Sequence, residues 1–124
     1  MAQILPAFSD DLQASGASPA EWMTLKRLEN GLPNDWLVFH NIRWTQAWDH
    51  GTNVGEIDFC VLSPTGKVIV IEQKNGELIE RPEGIFKQYP KGQKNVGTQI
   101  QRTLDGLHTK FKRMNPEGGF WADY

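Results

Sequence analysis

Three side chains carry the strongest chemical signal in this chain: Asp58, Glu72 and Lys74. Two carboxylates offer hard oxygen donors, which suit a divalent ion such as magnesium or manganese. An ammonium group beside such an ion can orient a water or offset negative charge developing on a reacting group. The three residues flank the stretch GEIDFCVLSPTGKVIVIEQKNG, Gly55 to Gly76. It holds two apolar runs, Ile57 to Leu62 and Val68 to Ile71, separated by Ser63-Pro64-Thr65-Gly66. A polar break with Pro and Gly between two β-rich runs predicts a tight turn in an antiparallel hairpin.

In such a hairpin, residues equidistant from the turn face each other. A turn centred on Thr65 puts Asp58 opposite Glu72, and a neighbouring register moves that partner by one position. Lys74 lies two residues past Glu72 and shares its face. Like charges directly opposite destabilise a sheet, so a cation is expected to hold this pair. A solvated hairpin end accounts equally for the same charges. Glu56 shares the face of Asp58, either as an outer carboxylate or as an exposed strand start.

Asp58 followed by Glu72-Gln73-Lys74 at the close of a β-hairpin resembles the metal site of the PD-(D/E)XK nuclease superfamily. More narrowly, GEIDFCVL with GKVIVIEQKNG resembles the nuclease-related domain of bacterial proteins, often found beside helicase modules. The resemblance runs from about Ser18 to about Arg113. It implies an α/β chain with a restriction-endonuclease-like core, a mixed three- to four-stranded sheet flanked by two helices. It also implies a nuclease that hydrolyses phosphodiester bonds of DNA with Mg2+ or Mn2+, as part of a larger DNA-processing protein. Asp58, Glu72, Lys74 and Gln99 would then be catalytic, with Glu21, Asp58, Glu72 and Gln73 as metal ligands, Gln73 through its backbone carbonyl. The family carries a Gln on the helix after the E-x-K strand, and Gln99 is the best match. A fused or associated helicase-type domain is the implied partner, and RNA is not distinguished from DNA. The alternative is a non-catalytic docking module for nucleic acid or protein. Retention of Asp58, Glu72 and Lys74 weighs against it, because a docking module has no need of a repelling pair.

The elements that must position these residues follow in chain order. Residues 1–17 read as an extended lead-in, with Ile4, Leu5 and Phe8 available to dock on the body. Ser18-Pro19-Ala20-Glu21 predicts a helix start with a capping box, and the helix runs to about Asn30-Gly31. Glu21 therefore has two readings, helix cap or metal shell. Asp35 to Arg43 predicts the first strand, in which His40 is an isolated histidine. Trp44 to Asn53 reads as a loop, and Arg81 to Asn95 as a Pro/Gly/Lys-rich surface excursion after a short strand at 77–80. Trp44 and Trp48 either plug the edge of the core or stack on bases. Thr98 to Met114 predicts the second helix, capped by Thr98 with Gln101. The domain is expected over 18–114, with 115–124 beginning a last strand that is absent or only starts at Phe120. That departure from the family pattern reads as a fragment of a longer protein, whose open sheet edge suits a homodimer.

Charge is divided along the chain. Residues 1–86 hold six Lys/Arg against twelve Asp/Glu, while 87–113 hold seven Lys/Arg against Asp105. An acidic half followed by a basic half suits a metal-dependent enzyme acting on a polyanion, with Lys87, Lys91, Lys94 and Arg102 as candidate nucleic-acid contacts. A solvated basic helix face explains the same residues without a partner. The single cysteine, Cys60, excludes an internal disulfide framework and lies in an apolar run, so a buried structural thiol is expected. No run approaches a membrane span, no secretory signal is evident, and a cytoplasmic setting is the expectation.

Overall fold

A computed structural model describes residues 1–7, 18–48, 51–74, 76–117 and 122–123, with the backbone alone for 46–48 and 51–54. Phe8, His50, Asn75, Phe120 and the side chain of Trp48, all singled out above, lie outside the described residues. The chain gathers into two compact units. The first comprises 1–43, 56–73 and 121–124, and the second 44–55 and 74–120. No helix is long and apolar enough to cross a membrane among the described residues.

The elements are β1 (Gln3–Leu5), α1 (Pro19–Gly31), β2 (Leu37–Trp48), β3 (Gly51–Leu62), β4 (Val68–Ile71), β5 (Leu78–Arg81), β6 (Gly84–Tyr89), β7 (Gly92–Asn95), α2 (Val96–Met114) and β8 (Ala122–Asp123). They form an α/β fold with two helices. One sheet is mixed and five-stranded, in the order β1-β2-β3-β4-β8; the other is three-stranded and antiparallel, in the order β5-β6-β7. The large sheet thus exceeds the expected three or four strands. The extra strand comes from the lead-in, where β1 pairs parallel with β2 through Gln3↔Leu37 to Leu5↔Phe39. The last strand is present as two residues, β8, parallel to β4.

In the first unit, Ala2, Ile4, Leu25, Val38, Phe59 and Val61 form one buried cluster, packed against by Leu28, Leu32, Trp36, Ile69 and Ile71. Consecutive residues of β3 are buried, Phe59, Cys60 and Val61, so this strand is covered on both faces. Full burial of a side chain such as Ile57 stabilises the fold by about 1.5–3 kcal/mol. The turn after β3 is closed by Gly66 N donating to Ser63 O (3.0 Å) and Ser63 N donating to Lys67 O (2.9 Å). Gly66 takes φ 87°, which costs a residue without Cβ little. Helix α1 starts as its sequence dictates, with Ser18 as N-cap and Glu21 completing the capping box. His40 is buried and donates from Nε2 to Pro6 O at 2.9 Å, the arrangement of a satisfied structural histidine.

Two expectations about loops are corrected. Residues 44–53 are mostly strand, because β2 runs on through Trp48 and β3 begins at Gly51. The Trp44 indole lies where a Cβ on Gly55 would be, 2.0 Å from Cε2, so Gly55 is required there. A Cβ on Gly106 of α2 would meet the same indole at 3.8 Å, so Trp44 packs as a core plug of the second unit. Residues 81–95 are also ordered as strands: β5, β6 and β7 are joined by two turns of the same composition, Arg81-Pro82-Glu83-Gly84 and Tyr89-Pro90-Lys91-Gly92. Pro favours the second position of such turns and Gly the fourth, here with φ 140° and 138°. Helix α2 begins two residues earlier than expected, and its N-cap is Asn95, whose Oδ1 accepts from Thr98 N at 3.1 Å. Thr98 is therefore the recipient of a cap rather than its source.

Candidate active site

The β3–β4 hairpin has the register that the sequence predicts. Phe59 pairs with Ile71, Cys60 with Val70, Val61 with Ile69 and Leu62 with Val68. One further step of that ladder puts Asp58 opposite Glu72, where β4 has already ended. Both side chains are half-buried. The ladder is extended there by a side chain, since Asp58 Oδ2 accepts from the backbone N–H of Gln73 at 2.9 Å. A charge-assisted bond of this kind fixes the carboxylate and takes up one of its oxygens, leaving Oδ1 for another donor or an ion.

Gln73 is held on a second side. Its Oε1 lies 2.7 Å from Thr24 Oγ1 on α1, and the same hydroxyl lies 3.1 Å from Ala20 O. Helix α1 is thereby tied to the residue between Glu72 and Lys74. The side chain of Gln73 turns to the helix and its amide to Asp58, while its carbonyl oxygen enters no hydrogen bond among the described residues. Thr24 was not singled out from sequence. The usable signal was its position three residues after Glu21, on the same side of α1.

Glu21 adopts the helix-cap arrangement, with Oε2 accepting from Ser18 N at 3.4 Å and its own N–H donating to Ser18 Oγ at 3.2 Å. Glu56 is exposed and pairs with Arg43 at 3.6 Å, so it is not drawn to Asp58. Cys60 is buried, and desolvation pushes its thiol above the ordinary value of 9.0, which suits an inert packing residue. Among the described residues, no group of three or more His, Cys, Asp and Glu side chains is gathered to hold an ion. The first unit offers two carboxylates, Asp58 and Glu72, with the Gln73 carbonyl beside them. That set fits magnesium, which keeps several waters and is commonly bound through one or two carboxylates.

The remaining candidates lie in the second unit. Lys74 is half-buried and begins it. Gln99 and Arg102 are exposed, three residues apart on α2 and so on one side of it. Lys91 is exposed in the β6–β7 turn. Lys87 and Lys94 are direct cross-strand partners, and each ammonium lies 5.2 Å from the ring centroid of Tyr89. Tyr89 was missed by the sequence reading because its segment was taken as a loop. The signal that finds it is the repeated Pro-x-Gly turn, which marks out β6 and places residues 87 and 89 on one face.

The family model described as a nuclease-related domain matches residues 17–119. No curated protein and no solved structure matches the chain.

Proposed function

The chain belongs to the nuclease-related domain family, and from that premise we propose a metal-dependent nuclease domain that hydrolyses phosphodiester bonds of DNA within a larger DNA-processing protein. The observation that carries this reading is the Gln73 N–H to Asp58 bond at the end of the β3–β4 ladder. It pins one carboxylate beside the residue that follows the other. A restriction-endonuclease-like arrangement of the core is part of the same proposal.

Asp58 and Glu72 would hold Mg2+ or Mn2+, with the Gln73 carbonyl and, on a rearranged cap, Glu21. When bound, such an ion polarises a phosphoryl oxygen and lowers the pKa of a coordinated water. Lys74 would orient the attacking water and offset the charge of the pentavalent transition state. Gln99 would steady that water or Lys74. These two roles rest on the family resemblance and on chain position. Lys87, Lys91, Lys94 and Arg102 would hold backbone phosphates in salt-sensitive contacts with little sequence preference. A helicase-type domain, fused or associated, is the proposed partner.

The engagement of Glu21 in the helix cap favours a second reading, a non-catalytic docking module. Calorimetry with manganese separates the two: uptake supports the nuclease, and its absence supports docking.

The decisive test is cleavage of labelled single- and double-stranded DNA with manganese, comparing wild type with Asp58→Ala and Lys74→Ala. Loss by about 10²-fold or more in each, with the fold intact by circular dichroism, is the expected outcome. Cleavage that survives both substitutions overturns the assignment.

A further inference from the structure

The three-stranded sheet presents one face of unusual composition. Its register puts Leu78, Ile85, Lys87, Tyr89 and Lys94 on the same side, together with Glu80 opposite Ile85. Leu78 is 44% exposed and Ile85 46% exposed. Residues of the other face, Ile79, Phe86 and Asn95, are half-buried, which identifies the first face as the open one.

Two features of this face call for a ligand. First, Lys87 and Lys94 stand directly opposite each other across β6 and β7, and both ammonium groups approach one tyrosine ring. Like charges in that position destabilise a strand pair, and cation–π attraction offsets only part of the repulsion. Among the described residues neither lysine is ion-paired with a carboxylate. An anion seated between them removes the repulsion. Second, branched aliphatic side chains stand in water beside these cations on a flat surface. A phosphate alone does not cover them, whereas a ligand that alternates phosphates with apolar ring faces does.

We propose that this face binds unpaired nucleic acid, one phosphate lying between Lys87 and Lys94 and bases resting on Ile85, Leu78 and the rim of Tyr89. A duplex hides its base faces and leaves the aliphatic side chains exposed, so single strands are preferred. This inference rests on the nuclease reading above for the purpose of the contact, and it narrows the substrate to a strand with unpaired bases.

The test is fluorescence anisotropy of a labelled oligothymidylate with the whole chain in EDTA, where cleavage cannot contribute. The comparison is a duplex of the same length. Wild type is expected to bind the single strand at least about tenfold more tightly than the duplex. Lys87→Gln with Lys94→Gln is expected to weaken binding by about tenfold or more and to lower the salt slope by about 1.4. Ile85→Ser lowers single-strand affinity while leaving the slope unchanged, and Lys67→Gln, in the β3–β4 turn, alters neither. Equal affinity for duplex and single strand overturns the proposal, as does a double variant that binds like wild type. Asp58→Ala retains binding under the proposal. Wild type that binds in EDTA but cleaves nothing with manganese refutes the nuclease reading alone. Wild type that cleaves, with a double variant that still binds, refutes the surface alone.

Discussion

The β3–β4 hairpin and the β5–β6–β7 meander are both antiparallel, and they hold their strands by opposite means. In the hairpin, Ile57, Phe59, Cys60, Val61 and Val70 are buried, and the strands are fixed by what they bury. In the meander no residue is buried, and large apolar side chains such as Ile85 stand exposed. Its strands are fixed by two Pro-x-Gly turns and by local bonds. Asn95 Nδ2 donates to Glu83 O at 3.3 Å, and Gln93 Nε2 donates to Gln88 Oε1 at 2.9 Å. The difference teaches that a buried strand pair can set a register for chemistry at its end, whereas a solvated one can offer its face to a partner.

The sharpest way to break that comparison is to truncate matched residues. Ile57→Ala, at a side chain with 0% exposure, is expected to cost about 2–4 kcal/mol in urea denaturation. Ile85→Ala, in the meander, is expected to change stability by less than about 0.5 kcal/mol. Similar costs at the two sites would show that the meander is held by burial after all. Turn substitutions probe the other side. Gly84→Ala meets φ 140° and places a Cβ 2.9 Å from Asn95 Nδ2, so it should destabilise by about 1–2 kcal/mol. Thermal unfolding reads this directly.

Smaller effects test the junction of helix and hairpin. Thr24→Val and Gln73→Leu each remove the bond between α1 and the carboxylate strand, at about 1 kcal/mol apiece. A double-mutant cycle should find them non-additive, since they share one interaction. If the cycle is additive, the 2.7 Å bond contributes nothing to holding Gln73 in place. The smallest effect concerns Cys60. Its folded thiol sits above 9.0, so its contribution to stability is complete below that pH and is lost as pH rises through the folded value. Unfolding free energy should therefore fall above about pH 9 in wild type and be flatter in Cys60→Ala. In the native protein at neutral pH, the thiol should resist a disulfide reagent until denaturant is added.

The legible parts of the sequence were those where burial and turn chemistry agree. Two apolar runs around Ser63-Pro64-Thr65-Gly66 sufficed to place Asp58 across from Glu72, and Ser18-Pro19-Ala20-Glu21 sufficed to start α1. Where no burial marks the strand, the pattern is silent. Residues 78–95 lack an apolar alternation, and their order lies in Pro82, Gly84, Pro90 and Gly92. Residues 44–55 read as a loop because Gly51, Asn53 and Gly55 are poor strand formers. The reason for Gly55 is the Trp44 indole above it, a contact the sequence does not announce. At the candidate site, the positions of Asp58 and Glu72 were readable from register. The engagement of the Gln73 amide and side chain was not, because it depends on where α1 lies beside the hairpin.

The parallel pairing of β4 with β8 has a kinetic consequence. Val68 meets Ala122, and Ile69 meets Asp123, across the whole of the intervening second unit. During synthesis the edge of β4 therefore waits, uncovered, until the segment that closes it has been made. Non-local pairing of this kind slows folding, because the entropy of a long closure is lost before any contact repays it. The carboxylate hairpin can form early from its own neighbouring residues, while its sheet acquires that edge strand last.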